Sequence, residues 1–462
     1  MTQLRTVETD RPPLLGTRVR RRPEGKSAAS NGTGGSDTEG LNDNKPVVDS
    51  PDREPELSSG GGSGNRTAYE GSEIPSAQDS GQTAAVGLEH AAPQPVAPVG
   101  GVASSSFTAP VLGWDTVTGE KVLWHPAGPS QDLLNGHVEV WGSSGMGKTQ
   151  FAMSLLAQLS RHSGSRFGIA DFKNDYSDDT GFPAFAAAEF LDLWEVGAPY
   201  NPLALTDDSQ RAIDTAVIEM RDTVEEAAHA FTRMGVRQKA KLEKALREAY
   251  AIGREEGRWP TLRTLDDQLD ADLSGVMGDL TRHELFKSGQ PLGDVIDHNV
   301  VFGLSKITGN GQTTVLAAGF ILSALLLRVQ NLPPIPNTIR YIVVVDEAHR
   351  VASFQAIKTM IREGRSKGLS VVLATQQPLD LPDVVAANAQ TKICFGLPDG
   401  TVAAMAARKL EPSNPRLPAQ IRTLGVGEAY VSLRGEAPRL LRMVQAHRDA
   451  DALGLPALRH PA

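Results

Sequence analysis

The residues best placed to do chemistry are Gly142-Ser143-Ser144-Gly145-Met146-Gly147-Lys148-Thr149, a GxxxxGK[ST] pattern between the apolar run His137 to Trp141 and the amphipathic QFAMSLLAQL. Glycines at this spacing let successive backbone N–H groups curl around a phosphate, and the dipole of a helix starting there adds to the attraction. Lys148 would then reach the β- and γ-phosphates, and the Thr149 hydroxyl would ligate Mg2+. The other half of such a site is a carboxylate ending a neighbouring apolar strand, and Tyr341-Ile342-Val343-Val344-Val345-Asp346-Glu347 supplies two. Asp346 can hold the metal through water while Glu347 orients and deprotonates the attacking water. Side by side at a buried strand end, these acids repel unless a cation or hydrogen bonds offset their desolvation. The implied chemistry is hydrolysis of a magnesium-bound nucleoside triphosphate. No NKxD-like tetrad for reading guanine follows the third strand, so ATP is the expected substrate.

Six apolar runs would position these groups: His137 to Trp141, Phe167 to Asp171, Val300 to Leu304, Tyr341 to Asp346, Leu369 to Thr375 and Lys392 to Leu397. Each is followed by helix signals, which predicts a mainly parallel sheet with helices on both sides, an α/β fold. Short strands near Glu428 to Leu433 and Pro438 to Val444 finish it, and the ATPase domain is placed at 137–446. Before it, Val111 to Trp114 and Lys121 to Trp124 flank the turn Thr118-Gly119-Glu120 and form a small β segment, 107–136. Residues 207–298 lack a strand pattern. They place Leu242, Ala245, Leu246, Ala249 and Tyr250 on one helical face, so an all-helical insertion is expected. Arg237, Lys241 and Lys244 share a stripe there that would suit a phosphate backbone or simply face solvent. Residues 447–462 read as a C-terminal tail. Residues 1–106, dominated by Gly, Ser, Pro, Asp and Glu, cannot bury enough surface to offset their ordering entropy and are predicted to be a disordered tail.

The charge balance excludes other classes. With 46 Lys and Arg against 55 Asp and Glu, a net charge of −9 and a pI near 5.6, the chain is not a generally basic coat for nucleic acid, though a local basic channel remains open. A single cysteine, Cys394, excludes an intrachain disulfide and, lacking partners at ligand spacing, the usual zinc sites. A reducing, cytoplasmic setting is expected. The N-terminal stretch has no apolar core of an export signal. The longest uncharged apolar run, Thr313 to Leu327, is short of the ~20 residues that cross a bilayer, so it reads as a buried helix and no membrane contact is expected.

Asp346-Glu347-Ala348-His349 spells the DEAH box of superfamily 2 helicases. However, no Arg-rich motif of a second motor domain follows, and the spacing of about 200 residues from the phosphate loop is wide for that family. The fuller match lies elsewhere. It comprises the phosphate loop, VVVDEAHR, Arg362-Glu363-Gly364-Arg365-Ser366-Lys367-Gly368-Leu369 leading into SVVLATQQP, Tyr200-Asn201-Pro202-Leu203, and Ala389-Gln390-Thr391-Lys392-Ile393. In order and spacing, from about Gly136 to Leu433, this set resembles the HerA/FtsK superfamily of hexameric DNA-pumping ATPases.

The resemblance implies a RecA-like P-loop NTPase that forms a homo-oligomeric ring of six, uses ATP and Mg2+, and moves double-stranded DNA through its pore. It implies that Gln376, ending the strand after the acids, senses the γ-phosphate. It also implies that Arg365 is supplied to the neighbouring subunit's nucleotide, with Arg362 as the rival for that role. A guanidinium arriving in trans stabilises the charge spread over the γ-oxygens and ties hydrolysis to subunit contact. Asp171-Phe172-Lys173 is similar to the Asp-containing strand end of these motors, so Asp171 or Lys173 is expected to couple nucleotide state to DNA. Without the membrane-spanning front end of FtsK, the expected role is a cytoplasmic motor with a partner nuclease or other effector, in repair, plasmid transfer or defence. The alternative is a nucleotide-gated assembly switch of a defence complex, without sustained translocation.

Overall fold

The computed structural model describes residues 107–128, 130–229, 233–286, 297–307 and 311–458. The tail expected over 1–106 lies outside the described residues. The strands are β1 (Val111–Asp115), β2 (Lys121–Leu123), β3 (Val138–Trp141), β4 (Arg166–Asp171), β5 (Ala188–Asp192), β6 (Asn299–Gly303), β7 (Tyr341–Val345), β8 (Leu369–Thr375), β9 (Thr391–Phe395), β10 (Glu428–Leu433) and β11 (Arg439–Met443). They join in one 11-stranded sheet of order β2-β1-β11-β10-β9-β3-β8-β7-β4-β6-β5. From β9 to β5 every pairing is parallel. The strands β10, β11, β1 and β2 continue the sheet antiparallel, so the β segment before the phosphate loop is an extension of the same sheet.

The helices are α1 (Lys148–Ser163), α2 (Phe182–Ala186), α3 (Gln210–His229), α4 (Val236–Glu255), α5 (Leu262–Asp266), α6 (Ala271–Arg282), α7 (Gly311–Gln330), α8 (Gln355–Glu363), α9 (Asp383–Asn388), α10 (Gly400–Leu410), α11 (Leu417–Arg422) and α12 (Ala446–Asp449). The core under α1, α2 and α12 lies on one face of the sheet, and that under α3 to α11 on the other. Strand β7 shows why these runs are apolar at every position. Tyr341, Val343 and Val345 enter one core while Ile342 and Val344 enter the other, so both faces exclude water. Between β5 and β6 the described elements are helical, α3 to α6.

Two features differ from the sequence reading. Strand β5 was not expected, because the Ala-rich FPAFAAAEF favours helix locally; pairing with β6 at the sheet edge overrides that preference after the short α2. The apolar run near Thr313 belongs to a longer helix, α7, which has 20 residues and by length and composition alone could cross a membrane. In the fold, most of it is buried, with Leu316, Phe320 and Ile321 inside the larger core.

Glu139 breaks the apolar pattern of β3. It is wholly buried between β8 and β9, and neither carboxylate oxygen has a hydrogen-bond partner. Burial pushes its pKa from 4.5 up to about 7, against a weaker opposing pull from Lys409 and Lys392. An acid with a raised folded pKa binds more protons folded than unfolded between those two values, so stability falls as pH rises through that window and stays low above it. Glu139→Gln should therefore stabilise the protein at about pH 8, on the order of 1–3 kcal/mol, and change little below the unfolded pKa. Thermal melts at the two pH values check this.

Candidate active site

The neighbouring strands β3, β8, β7 and β4 end at one edge of the sheet, and each delivers part of the site. From β3 the chain enters the phosphate loop, where Gly142 leaves no room for a side chain: a Cβ there would lie 2.6 Å from that of Phe395. Gly147 caps α1 with φ 106°, a conformation that glycine adopts without strain. The Ser143 N–H donates to the Gly396 carbonyl (3.0 Å), and Met146 packs over Gly396, which anchors the loop to the residue after β9. Lys148 is buried and donates to the carbonyls of Gly142 (2.7 Å) and Ser143 (3.1 Å). Burial lowers its pKa, while the nearby Asp346, Glu347 and Asp175 act in the opposite sense.

The Thr149 hydroxyl lies 3.4 Å from Oδ2 of Asp346 and 3.3 Å from Oδ2 of Asp175. Burial raises the pKa of Asp346 to about 6, although Lys173 and Lys148 pull it down. Beside it, Glu347 has a left-handed backbone (φ 58°), uncommon for a residue with a side chain, and is 3 % exposed. Its carboxylate forms an ion pair with Lys173, accepts from Nε2 of Gln376 at 3.4 and 3.5 Å, and lies 3.4 Å from Nδ1 of His349. Burial is the largest single influence on Glu347 and acts upward, but Lys173, Gln376 and His349 together hold its pKa below the ordinary glutamate value. In the chain by itself, Lys148 and Lys173 are cations beside the paired acids.

The structure brings together the phosphate loop, Lys148, Thr149, Asp346, Glu347 and Gln376. Arg365 and Arg362 do not join them: both are exposed, Arg362 near the end of α8 and Arg365 in the turn leading into β8, toward the opposite edge of the sheet. Asp171, the last residue of β4, is buried and faces its own loop. Its carboxylate accepts the N–H groups of Lys173 (3.0 Å), Asp175 (3.2 Å) and Tyr176 (3.0 Å), so it shapes the loop after β4 and the loop presents Lys173 and Asp175. The stripe on α4 is exposed at Arg237 and Lys244, and Lys241 pairs with Asp270 (2.5 Å) and Lys244 with Glu248 (3.3 Å), as on a solvent-facing surface.

Sequence reasoning missed two contributors. Asp175 carries no spacing signal, since only the loop built by Asp171 brings it to Thr149. The segment read as a tail returns to the site: His447 Nδ1 lies 2.7 Å from Gln150 Oε1 on α1. Leu458 lines a cavity of about 410 Å³ together with Ser144, Gly145, Lys148, Asp175 and Asp346.

Among the described residues, no group of three or more His, Cys, Asp or Glu forms a metal cage. The hard oxygens of Thr149, Asp346 and Asp175 instead suit Mg2+, which is usually held by one or two carboxylates together with substrate phosphates.

Residues 336–448, from before β7 into α12, match the family model described as Helicase HerA-like C-terminal. No curated protein matches the sequence significantly. Among solved structures, VirB4 of Thermoanaerobacter pseudethanolicus aligns with a TM-score of 0.60 at 18% identity, covering 73% of this chain and 96% of VirB4. The bacterial conjugative coupling protein TrwBdeltaN70, in a trigonal form with sulphate, aligns with a TM-score of 0.50 at 16% identity, covering 70% of this chain and 87% of the TrwBdeltaN70 chain. At these identities the likeness is one of fold: a RecA-like ATPase fold on a largely parallel sheet.

Asp175→Asn should raise the Mn2+ concentration that half-saturates the nucleotide-loaded protein by roughly 10-fold, read by electron paramagnetic resonance titration.

Proposed function

We propose that this chain is an ATPase of the HerA/FtsK type that assembles as a ring of six in a reducing cytoplasm. In this reading it hydrolyses ATP to drive double-stranded DNA through the ring and works with a nuclease or other effector. The observation that carries the reading is the division of the machinery between opposite edges of the sheet. Lys148, Asp346, Glu347 and Gln376 share the edge where the parallel strands end. Arg365 lies before β8, one strand length away, roughly 20 Å at about 3.3 Å per residue. It cannot complete the site of its own chain. In a head-to-tail ring, the same two edges of successive copies meet at every contact. Arg365 is exposed beside a cavity of about 400 Å³ lined by Gln131, Asn135, Pro334 and Leu369, and among the described residues neither it nor Arg362 forms an ion pair. The HerA-like C-terminal match supports the motor reading, and the likeness to TrwB, a conjugative coupling protein, supports a place in DNA transfer.

Mg2+ at Thr149 and Asp346 would neutralise charge on the substrate phosphates. Lys148 exchanges the carbonyls of Gly142 and Ser143 for phosphate oxygens. Glu347 takes a proton from the attacking water, and to do so it must shed Lys173, because a carboxylate held in an ion pair is a weak base. Gln376, bonded to the same carboxylate, is placed to respond when a γ-phosphate arrives. Arg365 of the neighbouring copy stabilises the charge that develops on the γ-oxygens.

The rate of ATP hydrolysis should climb with the length of added duplex DNA; a rate indifferent to DNA would favour the assembly switch. Glu347→Gln should hold ATP but hydrolyse it at least ~100-fold more slowly, and undiminished turnover would remove it as the base. Arg365→Ala subunits should regain turnover when mixed with Lys148→Ala subunits, each supplying what the other lacks. No recovery at any ratio would contradict a role across the subunit boundary.

A further inference from the structure

Building on the ATPase reading above, we propose that Lys409 is a positioning residue that ties the turn carrying Gln376 to the strand beneath the phosphate loop. Lys409 is half-buried on α10, and its ammonium donates to the carbonyl of Pro378 at 2.5 Å. The same ammonium lies over the indole of Trp141, 5.9 Å from the ring centroid. Trp141 is the last residue of β3 and leads directly into Gly142, while Pro378 follows Gln376 by two residues. Strands β3 and β8 are in register with Trp141 opposite Thr375, so the phosphate loop and the Gln376 turn leave the sheet side by side.

Within the turn, Asp380 accepts from Oγ1 of Thr375 (2.5 Å) and from the N–H of Gln377 (3.1 Å), which fixes its internal shape. That leaves its placement relative to the phosphate loop, and Lys409 bridges those two segments. Charge keeps the lysine there. Glu139 lies two residues before Trp141 on the same face of β3, and its unpaired carboxylate is drawn to Lys409 on α10 and Lys392 on β9. Nearby cations favour the charged form of a buried carboxylate without hydrogen bonds, and losing one pushes it toward protonation at a cost in stability. The ammonium therefore has two functions that experiment can separate: orienting the turn and balancing Glu139.

Lys409→Met should lower kcat for ATP hydrolysis roughly 10- to 100-fold while KM for ATP stays within about 2-fold, since the loop still binds nucleotide and only the turn is loosened. Lys409→Arg, which keeps a donor and a cation over the indole, should retain most of the turnover. Adding Glu139→Gln to Lys409→Met removes the charge that the lysine balances. The double variant should recover the thermal midpoint lost on removing Lys409 but not kcat. Full kcat in Lys409→Met would overturn the proposal, and so would recovery of kcat together with the midpoint, because the lysine would then only balance charge. Wild-type protein that neither binds nor hydrolyses ATP would overturn the ATPase reading itself, so it is measured first.

Discussion

The parallel pairing of β3, β8, β7 and β4 is the constraint from which the site follows. Parallel neighbours end at the same edge, so residues far apart in sequence, from Gly142 to Gln376, are delivered to one place without any direct contact along the chain. The same pairing requires crossover helices on both faces, which leaves the strand interiors apolar apart from exceptions such as Glu139 and gathers the site's charges at the strand ends. Acids held at such an edge lose much of their hydration. Burial raises the pKa of Asp346, whereas Lys173, Gln376 and His349 together outweigh the desolvation of Glu347 and hold its pKa down.

In the chain by itself, the charged groups of the site are bonded to one another or to backbone. Lys148 is turned onto its own loop, and Glu347 is held by Lys173 and Gln376. On the proposed ATPase reading, these contacts would be exchanged for contacts to nucleotide before Glu347 could act as a base, because a carboxylate held in an ion pair is a weak one.

Much of this was legible in the sequence because the decisive signals are local. The phosphate loop declares itself by glycine spacing between strand and helix, and the acid pair by the apolar run that precedes it. The strands could be read because burial on both faces makes them continuously apolar. What escaped depends on distant partners. An aspartate after a strand looks the same whether it faces a ligand or bonds its own loop, so Asp171 and Asp175 could not be told apart. The basic residues of α4 have the right spacing for a phosphate backbone, but Asp270, which claims Lys241, lies in another element. Strand β5 exists through its pairing with β6, and nothing near Leu458 announces its return to the phosphate loop.

The central claim is that the phosphate loop and the paired acids converge on a single magnesium nucleotide. Pulsed paramagnetic resonance of Mn2+ added with ADP tests it most directly. Wild-type protein should show hyperfine coupling between the bound metal and nucleotide phosphorus, and both Thr149→Val and Asp346→Asn should lose that signal. Metal that binds equally well without nucleotide, or a phosphorus coupling that survives both substitutions, would contradict it.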